Sequence, residues 1–159
     1  MRTLSFIAVL ALVASAGLPV HAAVEVTYGD PDKFSDAGDR NSDPRQIMKA
    51  LSDHMKATGD KILPPGTALK IEVLDLDRAG RPRGNLPSDI RIVSGKGDMP
   101  CIDLRYSLDG AAPVRERVCD PDFLRPLGFK YDEHDPIVYE KRMLDTWLEK
   151  RFGKGDRPR

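Results

Sequence analysis

Hydrophobic and polar positions divide the chain into segments of different period. From Leu4 to Val13 the chain is an apolar run broken only by Ser5, after a positive start at Arg2 and before Pro19, with Val20-His21-Ala22 at cleavage spacing. A positive start, a short apolar run and a small-residue site make a secretory signal, expected to be cut after Ala22. The run falls short of the ~20 apolar residues that a membrane-spanning helix needs. Residues 1–22 are therefore expected to be a signal peptide and 23–153 a single domain, with Lys154 to Arg159 as a flexible basic tail.

Beyond the leader the period alternates between two and 3.6. Val24-Glu-Val-Thr-Tyr28 alternates and predicts a first strand, followed by a Gly-, Asp- and Ser-rich loop to Asp43. Asp43 as cap and Pro44 at the first position open a helix, in which Ile47, Met48, Leu51, Met55 and Ile62 recur every three to four residues, with a gap at Thr58 and Gly59. Leu63-Pro-Pro-Gly66 stops it. Leu69, Ile71 and Val73 lie on one face of a second strand but Leu74 and Leu76 on the other, so either both faces are covered or a bulge sits near Val73. Arg78 to Gly84 reads as loop, Asp89 to Ser94 as a strand with Ile90 and Ile92 inward, and Gly95 to Asp98 as a turn. Pro121 to Pro136 is irregular, with Phe129 and Tyr131 in a possible short strand. Asp135 caps the last helix and Pro136 opens it. Ile137, Tyr139, Met143, Leu144, Trp147, Leu148 and Phe152 form its broad apolar face. The order β-α-β-β-β-β-α predicts an α+β fold, a mostly antiparallel sheet with two helices packed on one face.

Between these elements lies a hairpin whose register can be tested on paper. If Cys101 to Ser107 and Pro113 to Cys119 fold about Gly110, residues whose numbers sum to 220 face each other. Cys101 then meets Cys119, Ile102 meets Val118 and Tyr106 meets Val114. Directly opposed strand residues have Cα atoms ~4.5–5.5 Å apart, a span that a disulfide bridges. Ile102, Leu104 and Tyr106 fall on the core face with Val114 and Val118, while Asp103 opposes Arg117. The same register sets Arg105 against Arg115, a like-charge pair that needs an acid nearby. Two reduced thiols are the alternative. A redox-active pair is disfavoured, since the cysteines form no C-x-x-C.

Composition narrows the function classes. With 25 basic and 25 acidic residues the chain is neutral, which gives no electrostatic case for nucleic acid or an anionic membrane surface. No cysteine precedes Cys101, so none is available for lipid attachment behind the leader, and no second apolar run would insert in a membrane. An exported, soluble, periplasmic protein is expected.

Four motifs carry a family resemblance. Residues 24–36 (VEVTYGDPDKFSD), 74–80 (LDLDRAG), 100–106 (PCIDLRY) and 139–147 (YEKRMLDTW) resemble, in this order, the exported bacterial DUF3016 family, a domain of unknown function. The resemblance spans nearly all of the chain beyond the leader. It implies compartment and domain extent and brings no activity. Arg78 stands where that family has leucine, and its members do without the cysteine pair.

Candidate chemistry is sparse. Glu140 falls within the apolar arc of the last helix, and a carboxylate facing the core calls for a cation. Arg105 or Arg151 is the expected partner, in an ion pair fixing helix to sheet, with a ligand-binding or acid/base carboxylate as the other reading. Asp75 and Asp77, two apart at a strand end, present carboxylates on one face. They either hold a hard cation or solvate the strand end, and calcium needs ~6–8 oxygens. Arg78, Arg81 and Arg83 either grip a phosphate or acidic partner or form a plain exposed loop. The Asp30, Asp32, Asp36, Asp39 and Asp43 series lacks the glycine and glutamate of a helix-loop-helix calcium site. His54, at the edge of the first helix's apolar face, and His134 are too far apart in sequence to signal zinc. No catalytic set, metal site or cofactor motif is recognised. The expectation is a non-enzymatic binding or accessory protein of the cell envelope, with an envelope protein as a possible partner, acting through the sheet surface or the Arg78 to Gly84 loop. The rivals are a small metal-assisted hydrolase using Asp75, Asp77 and His134, and a factor that binds unfolded chains through an exposed apolar patch.

Overall fold

A computed structural model describes residues 21–38, 43–82 and 91–153. Nearly all of the expected leader, Asp39, residues 83–90 and the basic tail lie outside them. The elements are β1 (Ala23–Tyr28), α1 (Pro44–Ile62), β2 (Ala68–Asp77), β3 (Arg81–Pro82), β4 (Arg91–Ile92), β5 (Cys101–Leu108), β6 (Val114–Cys119) and α2 (Val138–Phe152). Four strands form one sheet in the order β1-β2-β5-β6, with β1 parallel to β2 and the other pairs antiparallel. The fold is α+β as expected.

Local chemistry explains most of this. Asp43 accepts a hydrogen bond from the Arg45 N–H at 2.9 Å, and Pro44 fills the first turn of α1. The gap in the helix's apolar pattern is a point of close approach. A Cβ on Gly59 would lie 2.5 Å from Val24 Cγ2, so glycine lets α1 rest on β1. The two-faced pattern of β2 is resolved by a bulge. Its register against β5 shifts between Val73 and Asp75, so Leu69, Ile71 and Val73 before it and Leu76 after it are all buried. These side chains meet Ile47, Leu51 and Met55 of α1 and Met143, Leu144, Trp147 and Leu148 of α2 in one core. Tyr106 stands edge-on to Trp147 and Phe152, with ring centroids 5.5 and 5.6 Å apart.

The β5–β6 register is the expected one throughout, from Cys101 opposite Cys119 to Tyr106 opposite Val114. Asp109 (φ 50°) and Gly110 (φ 76°) make the tight turn, the left-handed pair that matches the twist of a two-residue hairpin. A disulfide joins Cys101 and Cys119 across a Cα–Cα distance of 4.2 Å. The acids that the Arg105–Arg115 pair requires are Glu72, paired with Arg105, and Asp103, 4.0 Å from Arg115. Val114, expected on the core face, is 47% exposed, because it lies at the turn end of the hairpin on β6, an edge strand of the sheet. Reducing the disulfide releases a loop closed across a sequence separation of 18. Stability is expected to fall by about 3 kcal/mol on the chain-entropy account, as a lower unfolding midpoint with reductant present. An unchanged midpoint would mean that the reduced chain gains no unfolded-state freedom.

Three expectations are corrected. Asp89 to Ser94 adds no strand to the main sheet. Arg91–Ile92 pairs instead with Arg81–Pro82 in a separate two-stranded ribbon, and Ile92, expected inward, is 43% exposed. Pro82 has no N–H to extend the ladder, and the Arg91 side chain is held by the adjoining turn. Asp89 and Ile90 lie outside the described residues. Phe129 and Tyr131 form no strand, and Phe129 is fully exposed. Asp135 caps the turn before α2 rather than the helix. Its carboxylate takes the Ile137 N–H at 3.0 Å, two residues on, so the helix begins at Val138.

Candidate functional site

The polar residues converge where β2 leaves the sheet. Beyond the bulge, alternation places Asp75 and Asp77 on the face opposite Leu76. Both Asp75 oxygens are occupied, Oδ1 by the Ser35 N–H at 2.6 Å and Oδ2 by the Ser35 hydroxyl at 2.7 Å. Asp77 forms a backbone bridge with Asp36. Burial, with the Asp36 and Asp75 charges, raises the Asp77 pKa, against the pull of Arg117 and Arg91. Among the described residues no three His, Cys, Asp or Glu side chains gather as a metal-holding group. His134 lies apart from the two aspartates, on a cleft described below.

The chain then turns inward. Arg78, read as exposed loop, is 1% exposed, and its Nη2 donates to the Pro136 carbonyl at 2.9 Å. The next residue, Ala79, donates its N–H to Glu140 Oε1 at 2.8 Å. Glu140 faces inward as the helical phase requires, and burial pushes its carboxyl above the ordinary range, opposed by the Ala79 N–H and by the charges of Arg78 and Arg91. Its expected partners are elsewhere. Arg105 is paired with Glu72 on the open sheet face, and Arg151 with Glu116 at 2.7 Å. Geometry explains the difference, since Glu140 is in the first turn of α2, beside the end of β2, and Arg151 is eleven residues or roughly 16 Å further along the helix.

Arg91, which sequence reasoning passed over, ties the knot together. Its Nε donates to Ala79 O at 2.7 Å and its Nη2 to Gly80 O at 2.8 Å, and the same Nη2 pairs with the Asp36 carboxylate. Gly80 is required here. It has φ +71°, and a Cβ would meet the Ile92 carbonyl oxygen at 2.9 Å. Arg81 donates to Asp98 at 3.1 Å, and the Ser94 N–H together with Arg81 holds the Asp98 carboxyl below its usual range. Asp75, Asp77, Arg78, Arg81 and Glu140 are thus grouped around one end of β2, whereas Arg105 stands apart. Arg83 lies outside the described residues. Over this knot opens a cleft of about 520 Å³, lined by Ala79, Arg91, Val93, His134, Tyr139 and Glu140.

A second polar centre joins the two helices. Asp145, 3% exposed, accepts from His54 Nε2 at 2.7 Å and the Thr58 hydroxyl at 2.9 Å on α1. From the segment before α2 it accepts the Tyr131 hydroxyl at 2.9 Å and Lys130 Nζ at 2.8 Å. Burial alone would raise its pKa, but the bonds from His54, Lys130 and Tyr131 outweigh that and hold the carboxyl far below the ordinary range. A signal existed in the sequence. His54 and Thr58 lie four apart on one helix side, next to the gap in the apolar pattern.

The sequence model of a family described as a protein of unknown function, DUF3016, matches residues 22–150. No curated protein and no solved structure matches the chain.

Proposed function

We propose, for a chain that belongs to the DUF3016 family, an exported, non-enzymatic binding protein of the periplasmic envelope that holds a small molecule in the cleft above the β2 end. The observation that carries this reading is the cleft's construction. Its walls, the β3–β4 ribbon and the segment from Glu133 to Glu140, are fastened from beneath by Arg91, Arg78 and the Ala79–Glu140 bond. Preformed concave sites with a few fixed polar groups are the usual form of small-molecule sites. Among the described residues no nucleophile lies hydrogen-bonded to a base in the cleft, and Asp75, one of the two carboxylates of the metal-assisted alternative, has both oxygens bound to Ser35. Export is supported by the leader pattern and by the disulfide, which persists in oxidising compartments. Among the described residues no helix is long and apolar enough to cross a membrane.

The test is native mass spectrometry of the protein isolated from its own envelope, beside Val93→Trp, which fills the cleft from its rim. The natural chain is expected to carry a discrete added mass. Val93→Trp is expected to lose at least nine-tenths of it while keeping the unfolding midpoint. Equal occupancy in the variant would move the site elsewhere, and turnover of an envelope substrate that disappears in Glu140→Gln would make the protein an enzyme.

A further inference from the structure

One buried nitrogen at the cleft has no use within the fold. The Arg91 side chain is 8% exposed, so its guanidinium is withdrawn from bulk water and each of its nitrogens needs an acceptor. Nε and Nη2 have theirs in the Ala79 and Gly80 carbonyls and the Asp36 carboxylate. Nη1 is buried and has no partner among the described residues. The guanidinium is a rigid planar fork, so Nη1 points away from the edge that holds the two carbonyls. Arg91 is itself a wall of the cleft of about 520 Å³, a volume within the ~300–1,000 Å³ of small-molecule sites. A buried donor costs stability while it lacks an acceptor, and an oxygen brought by a ligand removes that cost.

We propose, resting on the cleft as the binding site, that its ligand is an uncharged molecule that sets a carbonyl oxygen against Arg91 Nη1 and an apolar body against Val93 and Tyr139. The oxygen follows from the donor, because a guanidinium N–H can only donate. The absence of ligand charge follows from the surroundings. Arg91 is already matched by Asp36, and Asp135 on the cleft wall by Lys141, which leaves Glu133 and His134 at the exposed rim and Glu140 at the buried base. Burial pushes the Glu140 carboxyl above its ordinary range, so the same base resists a second negative charge from a ligand. A carboxylate or phosphate would therefore meet one hydrogen-bond donor and no cation that lacks a counter-charge. An amide-type carbonyl takes the donor without that cost. Arg91 is held in place by its other bonds before any ligand arrives, which reduces the ordering loss on binding.

The test is titration of the full chain, without its leader, with benzamide, benzoate and toluene, followed by ligand-observed NMR, with the Arg91 guanidinium N–H signals read in the same samples. Benzamide is expected to bind about tenfold more tightly than toluene, the worth of one hydrogen bond, and to move the Nη1 signal. Benzoate is expected to bind no better than toluene. Arg91→Lys, which keeps a cation for Asp36 and has no Nη1, should bring benzamide down to the affinity of toluene and leave toluene unchanged. If that variant does not fold, the Nη1 signal of the natural chain decides. Benzamide binding no tighter than that of toluene, or without movement of Nη1, would overturn the proposal, and so would tightest binding of benzoate. Each of these results leaves the cleft as a binding site wherever Val93→Trp removes the added mass of the natural chain. Probes bound equally by the natural chain and Val93→Trp would overturn both readings.

Discussion

Glu140→Ala is expected to destabilise the fold by about 3–5 kcal/mol, the range for removing one member of a buried charged cluster. The mutation strips the Ala79 N–H of its acceptor and takes a carboxyl from beside Arg78 and Arg91, all at a point where α2, the end of β2 and the ribbon meet. Glu140→Gln keeps an oxygen for the Ala79 N–H and nearly the same volume, so its loss should be about 1 kcal/mol or less at neutral pH. The pH dependence separates charge from shape. Burial raises the folded-state pKa above the unfolded one, so the stabilising contribution is complete below the ordinary glutamate range. It is lost as pH rises through the folded pKa, where the carboxyl must ionise without water. Urea unfolding across pH should show this decline in the natural chain and its absence in Glu140→Gln. Parallel curves for the two would mean that Glu140 is ionised in the fold throughout and that the arginines fully compensate it.

Asp145→Ala should lower stability by about 2–4 kcal/mol, less than the sum of four hydrogen bonds, because Lys130 and part of His54 recover water when released. Its second effect is local. With Tyr131 and Lys130 untied, limited proteolysis near Gly128 should accelerate well before global unfolding, which a melting curve alone would not register. The pH sign is opposite to that of Glu140. The Asp145 pKa is depressed, so its contribution is present above the ordinary aspartate range and is lost as pH falls through the folded value, below pH ~4. A natural chain whose 128–131 segment is cut as fast as that of Asp145→Ala would show that the segment is not fastened at this point.

Much of the fold was legible in the chain because the relevant interactions are short in sequence. The Asp43 cap involves residues two apart, and the hairpin register follows from one turn at Asp109-Gly110 and alternation on either side. The change of apolar face within β2 was visible and left a bulge or two covered faces as its readings, of which the structure has the bulge, and the inward direction of Glu140 followed from its angle on the helix. The candidate site was legible only as residue types. Asp75, Asp77, Arg78, Arg81 and Glu140 lie around one end of β2, but the partners that hold them there were not legible.

The sequence by itself determined the two helices, the first two strands of the main sheet, the hairpin register with its cysteine pairing, and the family, since each depends on periodicity, turn chemistry or motif order. Tertiary structure alone decided that Arg78 is buried, that Arg91 rather than Arg105 or Arg151 shares the site of Glu140, and that Asp145 joins α1 to the segment before α2. Those outcomes rest on where an element's end lies against another some fifty to ninety residues away. Helical and strand periods fix the direction of a side chain around its own axis, but not the point along the neighbouring element that it meets.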